Sequence, residues 1–227
     1  SMKDDQKRRD FTINAMSISL NKKTFGTLID PFNGKGDLEN KIIRTPLDPD
    51  KTFSDDPLRM FRAIRFSNQL NFKIEERTLI SIKNNSKRIQ ILSKERILDE
   101  FEKILLCKNP SKGLKLLFET EIIKKYFYEL HDLHGVETKN NHSHKDNFFH
   151  TLEVVDNVRK KSKNIWLIWA ALLHDIAKPK TKKYNKKEGW TFHGHEYLGS
   201  KMVPGIFKRL KLPLNENMKY VQKLVLL

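Results

Sequence analysis

The sequence is short of cysteine, of long apolar runs, of internal repeats and of acidic charge, and each shortage excludes something. Cys107 is its only cysteine, so no internal disulfide can form, and the chain suits a reducing cytoplasm. The longest apolar run, Ile165 to Leu173, stops at His174-Asp175 and is too short to cross a bilayer. No signal-peptide pattern opens the chain, and no segment repeats. Acidic residues number 28 against 44 lysines and arginines, leaving a net charge of +16. Such an excess favours polyanionic partners, nucleic acid first, because each phosphate contact releases condensed counterions. A Lys/Asn-rich composition that merely reflects base usage is the alternative.

What is present reads as one or two globular domains. The chain has 227 residues, 38% of them hydrophobic, enough to bury a core. Both ends read as cut. Ser1-Met2 looks like an arbitrary start, and Leu224 to Leu227 ends the chain on an apolar turn, so missing segments are expected to hold missing chemistry. Alternation at Met16, Ile18 and Leu20 predicts a strand, and Thr24 to Ile29 a second. Two strands alone are marginal, so this hairpin is expected to belong to a larger sheet. Asp30 to Leu38 reads as a Gly-rich loop, and residues 39–50 as irregular.

From Pro57 the periodicity is helical, with Asp55 and Asp56 at the helix start. Helices are expected at Glu75–Asn84, Ser93–Cys107, Ser111–Thr120 and Glu121–Leu130. In the second of these predicted segments Arg96 is a potential i,i+4 partner of Glu100. Glu137 to Lys145 reads as a His-rich linker. Asn147–Lys161, Ile165–Ala177, Glu196–Leu210 and Asn215–Leu227 read as helices, with a basic loop from Lys178 to Gly189. The expected fold is mainly α: a β-hairpin remnant of a head-domain sheet in 1–38, a helical neck and body in 39–135, and a helical metal-binding domain in 136–227.

Two constellations carry chemistry. Asp56 and Arg59 share one helix face three residues apart, and a carboxylate with a guanidinium fork can read the donors and acceptors of a base edge. The plainer possibility is a surface i,i+3 ion pair. The surrounding string is distinctive: Arg8-Arg9-Asp10-Phe11-Thr12, then Asp30 to Leu38, then Asp55-Asp56-Pro57-Leu58-Arg59, with Arg96 and Glu100 beyond.

In that order the motifs resemble those of class II CCA-adding tRNA nucleotidyltransferases and their poly(A) polymerase relatives. The resemblance implies ribose contacts at Arg9 and Asp10, with Thr12 close by. It implies a flexible head–neck join at the Gly-rich segment and nucleotide selection by Asp56 and Arg59. It implies support of that template pair by Asp55, Arg96 and Glu100, with Asp55 standing where the family has Glu. It also implies CTP and ATP as substrates and the 3′ acceptor end of tRNA as partner. In the family Mg2+ and the phosphate-binding loop lie in a head preceding Arg8, so this chain alone is not expected to transfer nucleotides.

The second constellation is His150, His174 and Asp175, with His193 and His195 as further candidates and Lys178 placed for phosphate. Imidazole and carboxylate together prefer a divalent transition metal over magnesium, whereas each histidine taken singly reads as an ordinary core or surface residue. The cluster resembles the HD superfamily of metal-dependent phosphohydrolases, a domain that some CCA-adding enzymes carry and that acts on cyclic phosphates and phosphomonoesters. The late Asp of that family's set has no candidate after His195. Trp166 and Trp169 read as core and Trp190 as either core or a stacking surface. Three functions follow: part of a tRNA nucleotidyltransferase, a metal-dependent phosphohydrolase, or a non-catalytic tRNA-binding module. No membrane partner is expected, and oligomeric state is left open.

Overall fold

A computed structural model describes residues 2–139 and 142–227. Its N-terminal part begins with α1 (Met2–Lys7) and a 3-10 turn at Thr12–Asn14. The expected hairpin follows, with β1 (Ser17–Ile18) antiparallel to β2 (Leu28–Ile29). The predicted loop after it is instead α2 (Gly34–Glu39). The cause is local: the Asp30 carboxylate accepts the Gly34 and Lys35 N–H groups at 2.7 and 2.9 Å, satisfying helix-start donors that would otherwise be orphaned. β3 (Ile42–Ile43) then pairs in parallel with β4 (Lys73–Ile74).

Between these strands lie α3 (Pro49–Asp55) and α4 (Leu58–Leu70). Asp48 caps α3, with Pro49 at its first position. Asp55 is therefore the exposed end of one helix rather than the start of the next. The body continues through α5 (Glu76–Asn85), α6 (Lys94–Leu105) and α7 (Pro110–Glu119). The single helix expected over Glu121–Leu130 breaks at Phe127 into α8 (Ile122–Tyr126) and α9 (Tyr128–His131). Phe127 takes an extended φ of −139° there and is fully buried.

The expected His-rich linker holds a short antiparallel pair, β5 (Thr138–Lys139) with β6 (His142–Ser143); Asn140 and Asn141 lie outside the described residues. Next come α10 (Asn147–Lys161), capped by Asp146, and α11 (Ile165–Leu173), capped by Asn164. α12 (Lys178–Thr181) opens the basic stretch, and β7 (Lys183–Asn185) pairs with β8 (Gly189–Thr191). α13 (His195–Leu210) and α14 (Glu216–Leu226) complete the fold.

One hydrophobic core crosses residue 135. A relay of aromatic rings runs through it, from Phe61 on α4 to Tyr126, Phe101, Trp169 and Phe207, with neighbouring centroids 5.5–6.2 Å apart. Trp169 is fully buried, and Trp166 packs on Phe207, as the apolar run implied. Among the described residues, no helix is long and apolar enough to cross a membrane. The fold is mainly α. It carries two separate groupings of polar side chains, one at the start of α4 and one where α10, α11 and α13 meet.

Candidate functional sites

At the start of α4, Asp56 is half-buried and Arg59 partly exposed. Asp56 Oδ1 accepts the Leu58 N–H at 3.1 Å, which orients the carboxylate on the first turn. Both of its oxygens also accept from Arg96 Nη2, at 3.3 and 3.1 Å. Arg59 Nη2 donates to the Arg8 carbonyl at 2.5 Å. Among the described residues, only a backbone bond, from the Arg59 N–H to the Asp56 carbonyl at 3.1 Å, joins the two; no side-chain bond does, so the surface i,i+3 ion pair does not form. Each instead is held by a different segment, Asp56 by Arg96 of α6 and Arg59 by the Arg8 backbone.

The expected Arg96–Glu100 partnership is not made. Glu100 is 3% exposed, and its charge is met by Arg65 of α4 at 2.6 Å and by Lys103 at 3.2 Å. Arg96 and Glu100 thus grip Asp56, just ahead of α4, and Arg65 on α4, rather than gripping each other. Among the described residues, no hydrogen bond or ion pair ties the exposed Asp55 into this clamp.

Asp10 is buried. It accepts the Phe11 N–H and Asn14 Nδ2 through Oδ1, and Arg62 through Oδ2 at 2.8 and 2.6 Å. Arg9 is exposed and paired with Asp5 at 2.7 Å. Arg62 and Arg65 were missed by the sequence reading. The signal was available: Arg59, Arg62 and Arg65 recur every three residues along one side of α4. Phe66 lies beneath the last two, 5.2 and 4.0 Å from their guanidinium carbons. Thr12 Oγ1 donates to Asp37 at 2.7 Å, and Arg44 pairs with the same carboxylate at 3.3 Å. The segment expected to be a flexible join is therefore pinned from two sides.

The second grouping forms where α11 ends. His150, His174 and Asp175 each place one ligand atom within 4.8 Å of the others. His174 Nδ1 donates to the Ala171 carbonyl at 2.8 Å, and His195 Nδ1 to the Phe192 carbonyl at 2.9 Å. A carbonyl only accepts, so in both rings Nδ1 carries the proton. Their Nε2 atoms then converge on the two oxygens of Asp175, at 3.2 Å from His174 and 3.3 Å from His195. Around a carboxylate that is 2% exposed, these contacts hold only with a cation between nitrogen and oxygen, either a metal ion or a second ring proton.

Lys178 Nζ, 2.7 Å from Asp175 Oδ2, supplies part of that charge. Burial pushes the Asp175 carboxyl pKa up, but hydrogen bonding and charge from His174 and Lys178 outweigh it and hold the group at about 2. The donor set of imidazoles and one carboxylate fits a transition metal. His193 is not part of it: its side chain is 85% exposed and faces Glu188 of the β7–β8 turn at 4.0 Å.

Comparison with known proteins follows the same division. The poly A polymerase head domain matches residues 1–44. The probable RNA and SrmB-binding site of polymerase A matches residues 71–133, and the HD domain residues 147–227. The multifunctional CCA protein of Haemophilus influenzae is 36% identical over 225 residues, covering 94% of this chain and 52% of that protein. The CCA-adding enzyme of Pediococcus pentosaceus is 48% identical over 122 residues, 54% of this chain and 30% of that one. The Bacillus stearothermophilus CCA-adding enzyme, solved in complex with CTP, aligns with a TM-score of 0.64 at 25% identity over 98% of this chain and 46% of its own. The chain thus spans about half the length, or less, of the curated relatives it matches. With all three domain types present in this order, the chain is similar to poly(A) polymerases and CCA-adding tRNA nucleotidyltransferases and carries an HD domain besides.

Proposed function

We propose that the chain is the nucleotide-selecting and tRNA-binding portion of a cytoplasmic CCA-adding nucleotidyltransferase. The observation that carries this reading is the placement of Asp56, in the junction between α3 and α4, three residues before Arg59 in the first turn of α4, with Asp56 held by Arg96 and Arg59 by the Arg8 carbonyl. An acid and a guanidinium held apart, one turn from each other, present acceptors and donors to the pairing edge of CTP or ATP. Arg9 is free to swing from its exposed pair with Asp5 toward a ribose, whereas Asp10 acts by fixing the Arg8-Arg9 segment against α4 through Arg62. The net charge of +16 supplies backbone contacts to the acceptor end of tRNA, which is recognised by shape and phosphate. Transfer itself takes Mg2+ in the family's head. The test is nucleotide addition by the full-length enzyme to tRNA lacking its terminal CCA. Asp56→Ala and Arg59→Ala should each erode the preference for CTP and ATP over UTP and GTP, and retention of full selectivity by both variants rejects the reading. A tRNA-binding module without catalytic role predicts salt-sensitive tRNA binding and no effect of either substitution on incorporation.

A second activity rests on its own observation, the convergence of ring nitrogens on the ionised Asp175. We infer that His150, His174 and Asp175, with His195, hold a divalent transition metal. Such an ion supplies Lewis-acid polarisation and an activated water. Lys178 then neutralises the bound phosphate, and the site hydrolyses phosphoesters. Hydrolysis of p-nitrophenyl phosphate after addition of Ni2+ or Mn2+ tests this, with His174→Ala as the control that must abolish it.

A further inference from the structure

α6, the helix whose Arg96 holds Asp56, is itself held by the part of the chain that matches the HD domain. Glu100 and Glu102 of α6 are two residues apart, so they do not share a helix face. Glu100 turns to Arg65 on α4, while the half-buried Glu102 accepts the Nε1–H of the fully buried Trp169 on α11 at 3.0 Å. α6 therefore stands between the helix that carries Arg59 and a helix of the HD-matching part.

Two residues of α10 fix the C-terminal end of α6. Leu106 closes α6, and its carbonyl accepts both Nε and Nη2 of Arg159, at 3.1 and 2.8 Å. The last carbonyls of a helix have no partner within it, and a cation there also suits the negative end of the helix dipole. One turn earlier on α10, Asp156 accepts the backbone N–H and the hydroxyl of Ser111 at 2.9 and 2.6 Å. Ser111 lies in the first turn of α7, where the N-cap residue, Asn109, makes no side-chain capping bond. Asp156 thus does from another helix what a cap would do. The pair holds both ends of the turn between α6 and α7. Movement there is not absorbed locally. A Cβ on Gly113 of α7 would sit 2.5 Å from Ile104 Cγ2 of α6 and 2.9 Å from Asn68 Nδ2 of α4, and interiors packed this closely transmit displacement. α6 is 12 residues long, a rod of about 18 Å, so tilting its C-terminal end displaces Arg96 at the other.

We propose that Asp156 and Arg159 are positioning residues for nucleotide selection: by fixing α6 they hold Arg96 against Asp56, so the HD-matching part contributes to base choice through contacts that its histidines do not make. The proposal rests on the reading of Asp56 and Arg59 as the base-selecting pair. The test is nucleotide addition by the full-length enzyme, below the melting range of every variant. Arg159→Ala and Asp156→Ala should each raise KM for CTP and ATP and reduce discrimination against UTP and GTP about 2- to 30-fold, the span for residues that act on a site without touching its ligand. Arg159→Lys should restore part of both. Lost stability alone reduces the amount of folded enzyme, which scales kcat equally for all four nucleotides and leaves KM and their ratios unchanged. Lys160→Ala removes the neighbouring charge on α10 and should leave selectivity at the wild-type level. Adding Arg159→Ala to Arg96→Ala should cost no further selectivity, since both act through the Asp56 carboxylate. Unchanged KM and ratios, a uniform fall in kcat, an equal effect of Lys160→Ala, or losses that add to those of Arg96→Ala would each overturn the proposal while Asp56→Ala still loses selectivity. Full selectivity in Asp56→Ala removes the base-selecting reading and this proposal with it.

Discussion

Arg62 and Asp10 meet across 52 positions of chain, Nη2 to Oδ2 at 2.6 Å, with the carboxylate 8% exposed. This pair fastens the segment matching the head domain to α4, the helix that carries Arg59 and follows Asp56. A buried charge is tolerated only with such a partner, because desolvation otherwise favours its neutral form.

Arg62→Ala should therefore cost about 1.5–3 kcal/mol, the usual range for hydrogen bonds to a charged group, in urea unfolding of the chain. Arg62→Lys should recover only part, since an ammonium cannot reproduce the guanidinium's fixed geometry. A loss below about 0.5 kcal/mol, the range of ordinary surface substitutions, would show that the Phe11 and Asn14 donors suffice without Arg62.

Arg96 bonds both oxygens of the Asp56 carboxylate, so it acts by positioning. Arg96→Ala leaves the Asp56 carboxylate with only the Leu58 N–H to orient it. In the full-length enzyme the expected result is a higher KM for CTP and ATP and discrimination against UTP and GTP reduced about 5- to 150-fold, equivalent to about 1–3 kcal/mol for one bidentate base contact. Arg96→Lys should restore part of both. A variant that melts earlier yet keeps wild-type nucleotide preference would make Arg96 structural only.

Local signals were legible where local chemistry decides. The helix expected over Asn147–Lys161 is α10 with those same bounds, and the one expected from Ser93 is α6, with Ser93 as its cap. Long-range choices were not legible. The spacing of Arg96 and Glu100 permits a mutual pair, yet Glu100 faces the core, where Arg65 answers it. Gly34 looked like loop composition. It is helical, and its missing side chain matters for close packing, since a Cβ there would sit 2.2 Å from the Thr12 carbonyl oxygen. His193 and His195 were equivalent on paper. Gly194, in the left-handed conformation between them at φ +74°, separates them: His195 enters α13 and turns to Asp175, while His193 stays outside.

Glu102 gives a pH-dependent prediction away from both sites. Burial raises its carboxyl pKa, the Trp169 Nε1–H bond at 3.0 Å opposes that rise, and Asp99 adds to it. A carboxyl whose pKa is higher folded than unfolded takes up a proton on folding. Its contribution is full below the unfolded value of about 4.3 and is lost as pH rises through the folded value. Glu102→Gln keeps an oxygen for Trp169 and has no charge to desolvate. Its Tm relative to wild type should rise from pH 4 to pH 7, and parallel Tm profiles across that range would refute the assignment.

Metal binding is read most directly from stability. An ion bound only by the folded chain adds about 2.7 kcal/mol at one hundred times its Kd, so Ni2+ or Mn2+ should raise Tm and a chelator should reverse the rise. His174→Ala and Asp175→Asn should remove the effect, and His195→Ala should reduce it. His193→Ala should leave it intact, because that ring faces Glu188. Lys178→Met gives the sharper comparison. Its ammonium lies 2.7 Å from Asp175 Oδ2 and repels any cation bound at that carboxylate, so its removal should tighten metal binding even as it weakens affinity for inorganic phosphate. Equal effects of His193→Ala and His195→Ala would mean that the carboxylate is not the centre on which these nitrogens converge.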